Sequence, residues 1–502
     1  MRLFLFLHKF YLALVYTIIL FLIFITGLRY IKALNIGELN PWLVPMGFVI
    51  KVAFGWYFIY VYSEIYGTGT LSADAGAFLE ESKILNNVFY QSPKDYWRLL
   101  FGIGDQSQLT IQYLTETHHW DAGEQAILSD NRNILRIQSV IHFFSFGNES
   151  VHILVMCFFS MIGSKQLYLG VIRKTELNKN ATFFILLLIP SLLFWSSGIL
   201  KEPFMFLGFG LFIRGLFGND SHYKKWWLII SGAFLLISFK PYVLFCLIPA
   251  ILFYFIFKRL IKFKLIGALT ILLITLTVPM FVFKSTTQKG MDLISRKQFD
   301  FINVARGGLH ANNDSIFYFF RPDQINQLVF KEDSVKVVKP IDILILRHGS
   351  MDEPIPIKLD SSEKFYAIYF ENTQSDGYIP ITLINGSFMQ LIYNIPEALI
   401  NVLFRPFFND PGSWLKHASS IELILIYCFL IYAIWNRRKL SINEKGLIYS
   451  ILIFIFLLAL TIGWVTPVLG AIVRYRIPIL LGFVTIGLIV IKAQASKSQT
   501  AD

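Results

Sequence analysis

One carboxylate in the first long polar stretch of this chain could act in acid–base chemistry at a membrane surface. Asp74 follows the second long apolar run and precedes Ala77 and Phe78, which are apolar residues at helical spacing. A carboxylate held there could take a proton from an acceptor hydroxyl. The alternative is that Ser72 or Asp74 caps a short helix, since both residue types are common N-caps. The sequence leaves both interpretations open.

Isolated basic residues that lie beside apolar segments later in the chain could bind a phosphate. They are Lys201, Lys240, Arg405, Arg474 and Arg476. Arginine suits bidentate contact with phosphate, and lysine supplies a point charge. The alternative is that each side chain snorkels to lipid phosphates, as lysine and arginine near helix ends commonly do.

The pair Arg474 and Arg476 imposes a condition on the backbone. On an ideal helix, residues that are two positions apart in sequence point in directions about 200° apart, because each residue advances about 100°. The two side chains can face one ligand only if segment 473–478 is extended or unwound, and Pro478 favours such a break. The alternative is that one arginine snorkels while the other pairs with an acid such as Glu422.

Further polar residues are weaker candidates for the same site. They are Glu202, His118, His119 and Asp121. The histidines and Asp121 could hold a divalent metal, but their spacing matches no zinc signature, and they could equally belong to loop structure. We find no glycine-rich phosphate loop, no G-x-S-x-G and no H-E-x-x-H. The sequence therefore assigns no cofactor and leaves the metal unknown.

The composition identifies the environment in which these residues work. The 502 residues are 55% hydrophobic and only 16% charged, whereas a soluble domain carries about 25% charged residues. Apolar runs recur at about the length that a helix needs to cross a bilayer. About eleven spans are predicted, near 9–29, 43–66, 151–172, 181–198, 203–217, 225–239, 241–257, 265–284, 420–436, 446–464 and 477–492.

Lysine and arginine in the short loops predict the orientation of these spans. Basic clusters follow the first, third, fifth, seventh, ninth and eleventh spans, and all six fall on one side if the N-terminus is outside and the C-terminus is cytoplasmic. This asymmetry also accounts for the net charge of +12 without nucleic-acid binding. Arg2 and Lys9, on the outer side, are the exception to it.

The two long polar stretches then lie outside the membrane and divide the chain. Short runs such as 334–338 and 341–346 predict strands in the second stretch. Segment 394–414 has apolar residues at helical spacing and predicts an interfacial helix. The predicted organisation is N-terminal helices 1–66, a first outer loop 67–150, central helices 151–284, an outer insertion 285–419 and C-terminal helices 420–502.

The order of these motifs resembles a known class of bacterial membrane enzyme. It runs through Asp74, the turn 190–202, Lys240-Pro241, Phe404-Arg405-Pro406-Phe407 and the segment 474–478. This order is similar to that of GT-C-type glycosyltransferases and O-antigen-polymerase-like proteins of cell-surface polysaccharide loci. The resemblance implies a GT-C-like fold, all-α and polytopic, with a small α/β extracytoplasmic insertion.

The resemblance also implies an activity and its partners. A sugar would pass from a polyprenyl-phosphate-linked donor to a glycan or lipid-linked acceptor on the outer face of the bacterial cytoplasmic membrane. The acid of the first outer loop, here Asp74, would act as base or orient the acceptor. Asp74 follows the second span rather than the first, as an extra N-terminal helix would explain. The alternatives are a polymerase of lipid-linked oligosaccharides, a polysaccharide or lipid transporter, and a non-catalytic scaffold.

Overall fold

The computed structural model is mostly helical and describes most of the chain. The described residues are 2–104, 107–117, 119–120, 129–171, 175, 177–260, 264–282, 284–306, 308–313, 316–320, 327–331, 334–347, 350–360, 364–366, 369–372, 375–384 and 388–492. His118 and Asp121, two of the predicted metal ligands, lie outside them. The chain forms two compact units, residues 1–245 with 428–440 and 483–502, and residues 246–427 with 441–482.

Twenty α-helices and a π-helical turn at Val61–Ile65 are described. The helices are α1 (Arg2–Tyr30), α2 (Leu43–Tyr60), α3 (Ala73–Gln91), α4 (Pro93–Phe101), α5 (Ser107–Tyr113), α6 (Asp130–Ser145), α7 (Glu149–Gly170), α8 (Lys179–Leu187), α9 (Pro190–Trp195), α10 (Glu202–Phe217), α11 (His222–Phe239), α12 (Pro241–Arg259), α13 (Lys264–Val282), α14 (Lys284–Arg306), α15 (Phe388–Tyr393), α16 (Ile395–Leu403), α17 (Leu415–Trp435), α18 (Ile442–Val465), α19 (Leu469–Tyr475) and α20 (Ile477–Val490).

Six helices in the described part of the chain are long and apolar enough to cross a bilayer. They are α2 with its π-helical turn, α7, α12, α17, α18 and the portion of α1 from Leu12. The pair α19 and α20, bent by 48°, adds a seventh if it is one span. These apolar helices are those of a membrane protein.

The predicted number of eleven spans is not confirmed. The run 181–198 is divided at Pro190 into α8 and α9, because proline lacks the N–H that would continue the first helix. Helix α10 has 16 residues. Helix α11 begins with polar residues, including Lys224 and Lys225, so its mean hydropathy is lower than that of the six candidate spans.

The second polar stretch forms two antiparallel sheets, as its short apolar runs predicted. The strands are β1 (Gly308–Asn313), β2 (Ile316–Phe320), β3 (Leu328–Lys331), β4 (Ser334–Val337), β5 (Ile341–Arg347), β6 (Ser350–Leu359), β7 (Lys364–Tyr366) and β8 (Tyr369–Asn372). One sheet has the order β6-β5-β2-β1-β8 and the other β3-β4-β7. Buried residues such as Val337, Ile343 and Ile345 form the core of this insertion.

In the first unit, α10 packs between α7 and α11 at very short backbone distances. A Cβ atom added at Gly210 would lie 2.4 Å from the carbonyl oxygen of Gly163 on α7. One added at Gly232 on α11 would lie 2.5 Å from the backbone nitrogen of Phe212 on α10. Small residues at helix crossings let backbones approach in this way. This packing fixes the N-terminal end of α10, where two of the predicted site residues lie.

Candidate functional site

Five of the charged side chains in the first unit form a cluster where α3, α6 and α10 begin and α11 ends. We call Asp74, Asp130, Lys201, Glu202 and Lys240 the Lys201 cluster. Lys201 is the N-cap residue of α10 and Glu202 its first residue, while Lys240 caps the C-terminus of α11. The close packing of α10 and α11 therefore brings the two predicted lysines to the same end.

Lys201 is bound by two side chains of α6. Its ammonium lies 2.6 Å from Oδ2 of Asp130 and donates to Oδ1 of Asn131 at 2.5 Å. The hydroxyl of Ser129 caps α6 by accepting from the backbone nitrogen of Arg132, which sets where these two residues stand. Asp130 was not among the sequence candidates, because a polar run before a helix ordinarily signals only a cap.

The ionisation of this pair reflects its burial. Burial lowers the pKa of Lys201 and the charge of Lys240 lowers it further, and together they outweigh the carboxylates of Asp130 and Asp74, which raise it. Burial raises the pKa of Asp130, but the charges of Lys201 and Lys240, together with hydrogen bonds from Lys201 and from the backbone of Asn131, outweigh it, so the pKa of Asp130 lies below its ordinary value. The pair is therefore a carboxylate beside a lysine whose proton is held less tightly than usual.

Asp74 lies in the first turn of α3 and interacts electrostatically with Lys201. Ser72 occupies the N-cap position, yet its hydroxyl donates to the carbonyl of Tyr62 at 2.5 Å and makes no cap hydrogen bond. Asp74 is thus inside the helix rather than its cap, and its side chain is exposed. One turn further, the ring of Phe78 lies 5.5 Å from the ammonium of Lys201. An exposed carboxylate thus lies within electrostatic range of a buried cation.

The second lysine of the cluster faces an acid. The ammonium of Lys240 lies 3.7 Å from Oε1 of Glu202, and both side chains are buried. This distance is that of an ion pair with loose geometry. The two lysines also repel each other, which contributes to the lowered pKa of Lys201. The cluster therefore holds two cations and three carboxylates in a small volume.

His119 belongs to a neighbouring contact rather than to a described metal centre. Its Nδ1 lies 2.8 Å from Oε1 of Glu81, whose other oxygen accepts from the His119 backbone nitrogen at 3.0 Å. Within the described residues, no group of three or more His, Cys, Asp or Glu side chains could hold a metal ion.

Two arginines of α6 that the sequence analysis did not single out share one aromatic partner. The guanidinium groups of Arg132 and Arg136 lie 5.0 and 5.2 Å from the ring centroid of Trp120. Burial, and then the charge of Arg132, lower the pKa of Arg136 to about 10. The sequence did contain a signal for this contact, because two arginines four residues apart follow Trp120 and would lie on the same face of a helix.

In the second unit, Arg476 lies at the helix break that Pro478 predicted. Helix α19 ends before it and α20 begins after it. Its guanidinium is fully buried and donates to the carbonyl oxygens of Val402 and Arg405 and, at 2.7 Å, to the hydroxyl of Ser419. Glu422, also buried, interacts with it electrostatically. Arg476 therefore fixes the turn after α16.

Two further predicted phosphate ligands, Arg405 and Arg474, belong to this unit, and Arg474 is buried. Arg405, in a cis peptide bond with Pro406, lies 3.2 Å from Oδ1 of Asp410 and stacks on Phe407. Arg474 is on α19 and its guanidinium lies 5.9 Å from the ring centroid of Tyr475. The two predicted phosphate ligands 474 and 476 thus have different surroundings, since Arg476 donates to the backbone of its own unit and Arg474 lies beside Tyr475.

A lysine in the middle of α2, Lys51, is buried inside the first unit. Its ammonium is fully buried and donates to the hydroxyls of Ser160 at 2.8 Å and Ser196 at 2.9 Å. It also lies 5.8 Å from the ring centroid of Phe206 on α10. Lys51 thereby ties α2 to the turn that leads from α9 to Lys201.

Comparisons with protein-family models, with curated proteins and with solved structures find no match to this chain.

Proposed function

We propose that this protein is a membrane glycosyltransferase that uses a polyprenyl-phosphate-linked sugar donor. In this proposal the Lys201 cluster lies on the outer face of the bacterial cytoplasmic membrane, with the N-terminus outside and the C-terminus cytoplasmic. The positive-inside distribution of lysine and arginine supports that orientation. The product would be a cell-surface polysaccharide or glycoconjugate.

The observation that carries the proposal is the exposed carboxylate of Asp74 within electrostatic range of the buried Lys201. Sugar transfer from a lipid phosphate needs a base for the acceptor hydroxyl and positive charge for the leaving phosphate. Asp74 would receive the hydroxyl proton as the oxygen attacks the anomeric carbon. The bond from that carbon to the phosphate oxygen would break, and the phosphate would leave with its electron pair.

Two cations of the cluster would then act on the leaving group. Lys201 and Lys240 are held at one end of α10 and α11 by carboxylates, so their ammonium groups need no reorganisation when the phosphate charge develops. A single displacement of this kind inverts the anomeric configuration. Arg405 and Arg474 stay predicted phosphate ligands on the basis of the sequence alone, and Arg476 fixes the turn after α16 that contains Arg405.

The experiment compares two matched aspartates in a strain that lacks the chromosomal gene. Asp74→Asn should abolish complementation of surface glycan synthesis, because asparagine cannot accept the proton. Asp95→Asn is the control, since Asp95 also lies in the first turn of a helix of the same polar stretch. Both variants should reach wild-type abundance in the membrane fraction.

A purely structural role predicts a different result. In the first turn of α3 the charge of Asp74 would only interact favourably with the helix dipole, which is worth about 0.3–1 kcal/mol, so the fold and the activity would tolerate asparagine. Near-normal complementation by Asp74→Asn would remove Asp74 from the site and with it the proposed base.

A further inference from the structure

A second charged site lies at the other end of the helices that carry the Lys201 cluster. It is a cleft of about 570 Å³ lined by residues of the loop after α1, the C-terminal part of α7, and parts of α10 and α11. Arg214 in its wall is thirteen residues beyond Lys201 along α10, about 20 Å at 1.5 Å per residue. We call it the Lys165 cleft. Nothing in the proposed transfer chemistry uses it.

Lys165 is the buried cation of this cleft. Its side chain is almost covered, and its ammonium donates to the backbone carbonyl of Ala33. Arg214 and Lys224, both in the cleft wall, repel it. A buried ammonium surrounded by like charges is costly unless an anion accompanies it.

The carboxylates in and beside the cleft are already engaged by other cations. Asp220 accepts from Nε and Nη2 of Arg214 at 2.8 Å each, and Lys224 lies 2.9 Å from it. Hydrogen bonds from Arg214, and then from Lys224, lower the pKa of Asp220 to about 2. Glu38 is paired with Lys179 at 2.8 Å.

Positive charge is left over after these pairings. Lys32 also lines the cleft, is exposed, and has no ion pair with any residue of the described part. Among the described residues in and beside the cleft, five cations therefore stand against two carboxylates, a surplus of three positive charges. The five are Lys32, Lys165, Lys179, Arg214 and Lys224.

Aromatic residues place this end of the helices at a membrane–water boundary. Trp42 is 51% exposed, Trp226 54% and Trp227 73%, and all three lie close in sequence to the cleft residues. The guanidinium of Arg29 stacks on Trp42 at 5.2 Å. Exposed tryptophans beside basic residues are typical of the headgroup level of a bilayer.

We propose that the Lys165 cleft binds the phosphate headgroup of an anionic membrane lipid, on the side of the membrane opposite the Lys201 cluster. The surplus cations would contact the phosphate. Ile36, Leu169 and Leu228 form apolar parts of the wall, which suit the upper part of an acyl chain better than a free inorganic ion. The site is independent of the proposed sugar transfer.

The test measures lipid binding to the purified full-length protein by native mass spectrometry and by thermal unfolding. The probes are phosphatidylglycerol, zwitterionic phosphatidylethanolamine and inorganic phosphate. The double variant Lys32→Gln with Lys224→Gln removes two cleft charges. The matched control is Arg437→Gln with Lys439→Gln, which removes two exposed charges from another short basic segment of the same unit.

Phosphatidylglycerol should bind and raise the unfolding temperature, while phosphatidylethanolamine should do so far less. The cleft variant should bind phosphatidylglycerol about twenty-five-fold more weakly, because each of the two basic residues near an anionic lipid contributes about fivefold. The control variant should bind like the wild type. Equal binding of the two lipids, or equal losses in the two double variants, would overturn the proposal. Stabilisation by inorganic phosphate alone would show a free-anion site and refute the lipid assignment.

Discussion

Replacing Lys201 by methionine should destabilise the fold by leaving Asp130 without its nearest cation. At their 2.6 Å separation two unit charges attract by about 6 kcal/mol at an effective dielectric constant of about 20. The Lys201 side chain is only 9% exposed, so its desolvation offsets much of this gain, and Asp130, 36% exposed, is partly screened by water. We therefore expect a net coupling of about 2 kcal/mol, between the values for exposed and buried pairs.

A double-mutant cycle measures this coupling directly. The wild type, Lys201→Met, Asp130→Asn and the double variant are unfolded by denaturant in mixed micelles, with tryptophan fluorescence as the signal. The pKa of Asp130 is held below its ordinary value, so the stability that its ionised form contributes is present above the ordinary carboxyl range. The coupling should therefore shrink as the pH is lowered from about 7 to about 3.

An exposed ion pair of the same unit is the control for this cycle. Lys179 and Glu38 are 2.8 Å apart with side chains 50% and 26% exposed, and their coupling should be at most about 1 kcal/mol. Equal couplings for the two pairs, or a coupling at Lys201 that does not change with pH, would refute the reasoning.

Other features of the fold lead to measurable outcomes. Lys51→Met should raise the unfolding temperature, since it removes a buried charge while Ser160 and Ser196 keep their mutual 2.8 Å hydrogen bond; a decrease would contradict this. Arg476→Lys should lower the unfolding temperature by several degrees, because a lysine ammonium cannot reproduce the guanidinium that donates to two carbonyls and a hydroxyl. An unchanged unfolding temperature would contradict the positioning role of Arg476. A reporter fused after Arg259 should report cytoplasm and one at Asn312 the outer compartment, and the opposite result at either position would reverse the proposed orientation.

Sequence patterns correctly predicted the helices, breaks and strands that are determined by residues close to them in the chain. The helix that carries Asp74 and the break at Arg476 follow from a polar residue before an apolar repeat and from Pro478. Strands β4 and β5 follow from short β-branched runs. In each case the signal lies within a few residues of the structure that it predicts.

The partners of the charged residues were not predictable in the same way. Lys201 and Asp130 are separated by 71 positions, and only the packing of α10 against its neighbours brings their helix ends together. Hydropathy places Lys51 near a span end, but the burial of its ammonium depends on α7, α10 and the turn after α9. A single sequence carries no record of such distant contacts.

Mass spectrometry of the lipid-linked sugars in a strain that lacks the gene tests the central claim most directly. The account predicts accumulation of a polyprenyl phosphate that carries a single sugar, reversed by the wild-type protein and not by Asp74→Asn. Accumulation of diphosphate-linked oligosaccharide blocks would indicate a polymerase instead. An unchanged pool of lipid-linked sugars would contradict glycosyl transfer by this protein altogether.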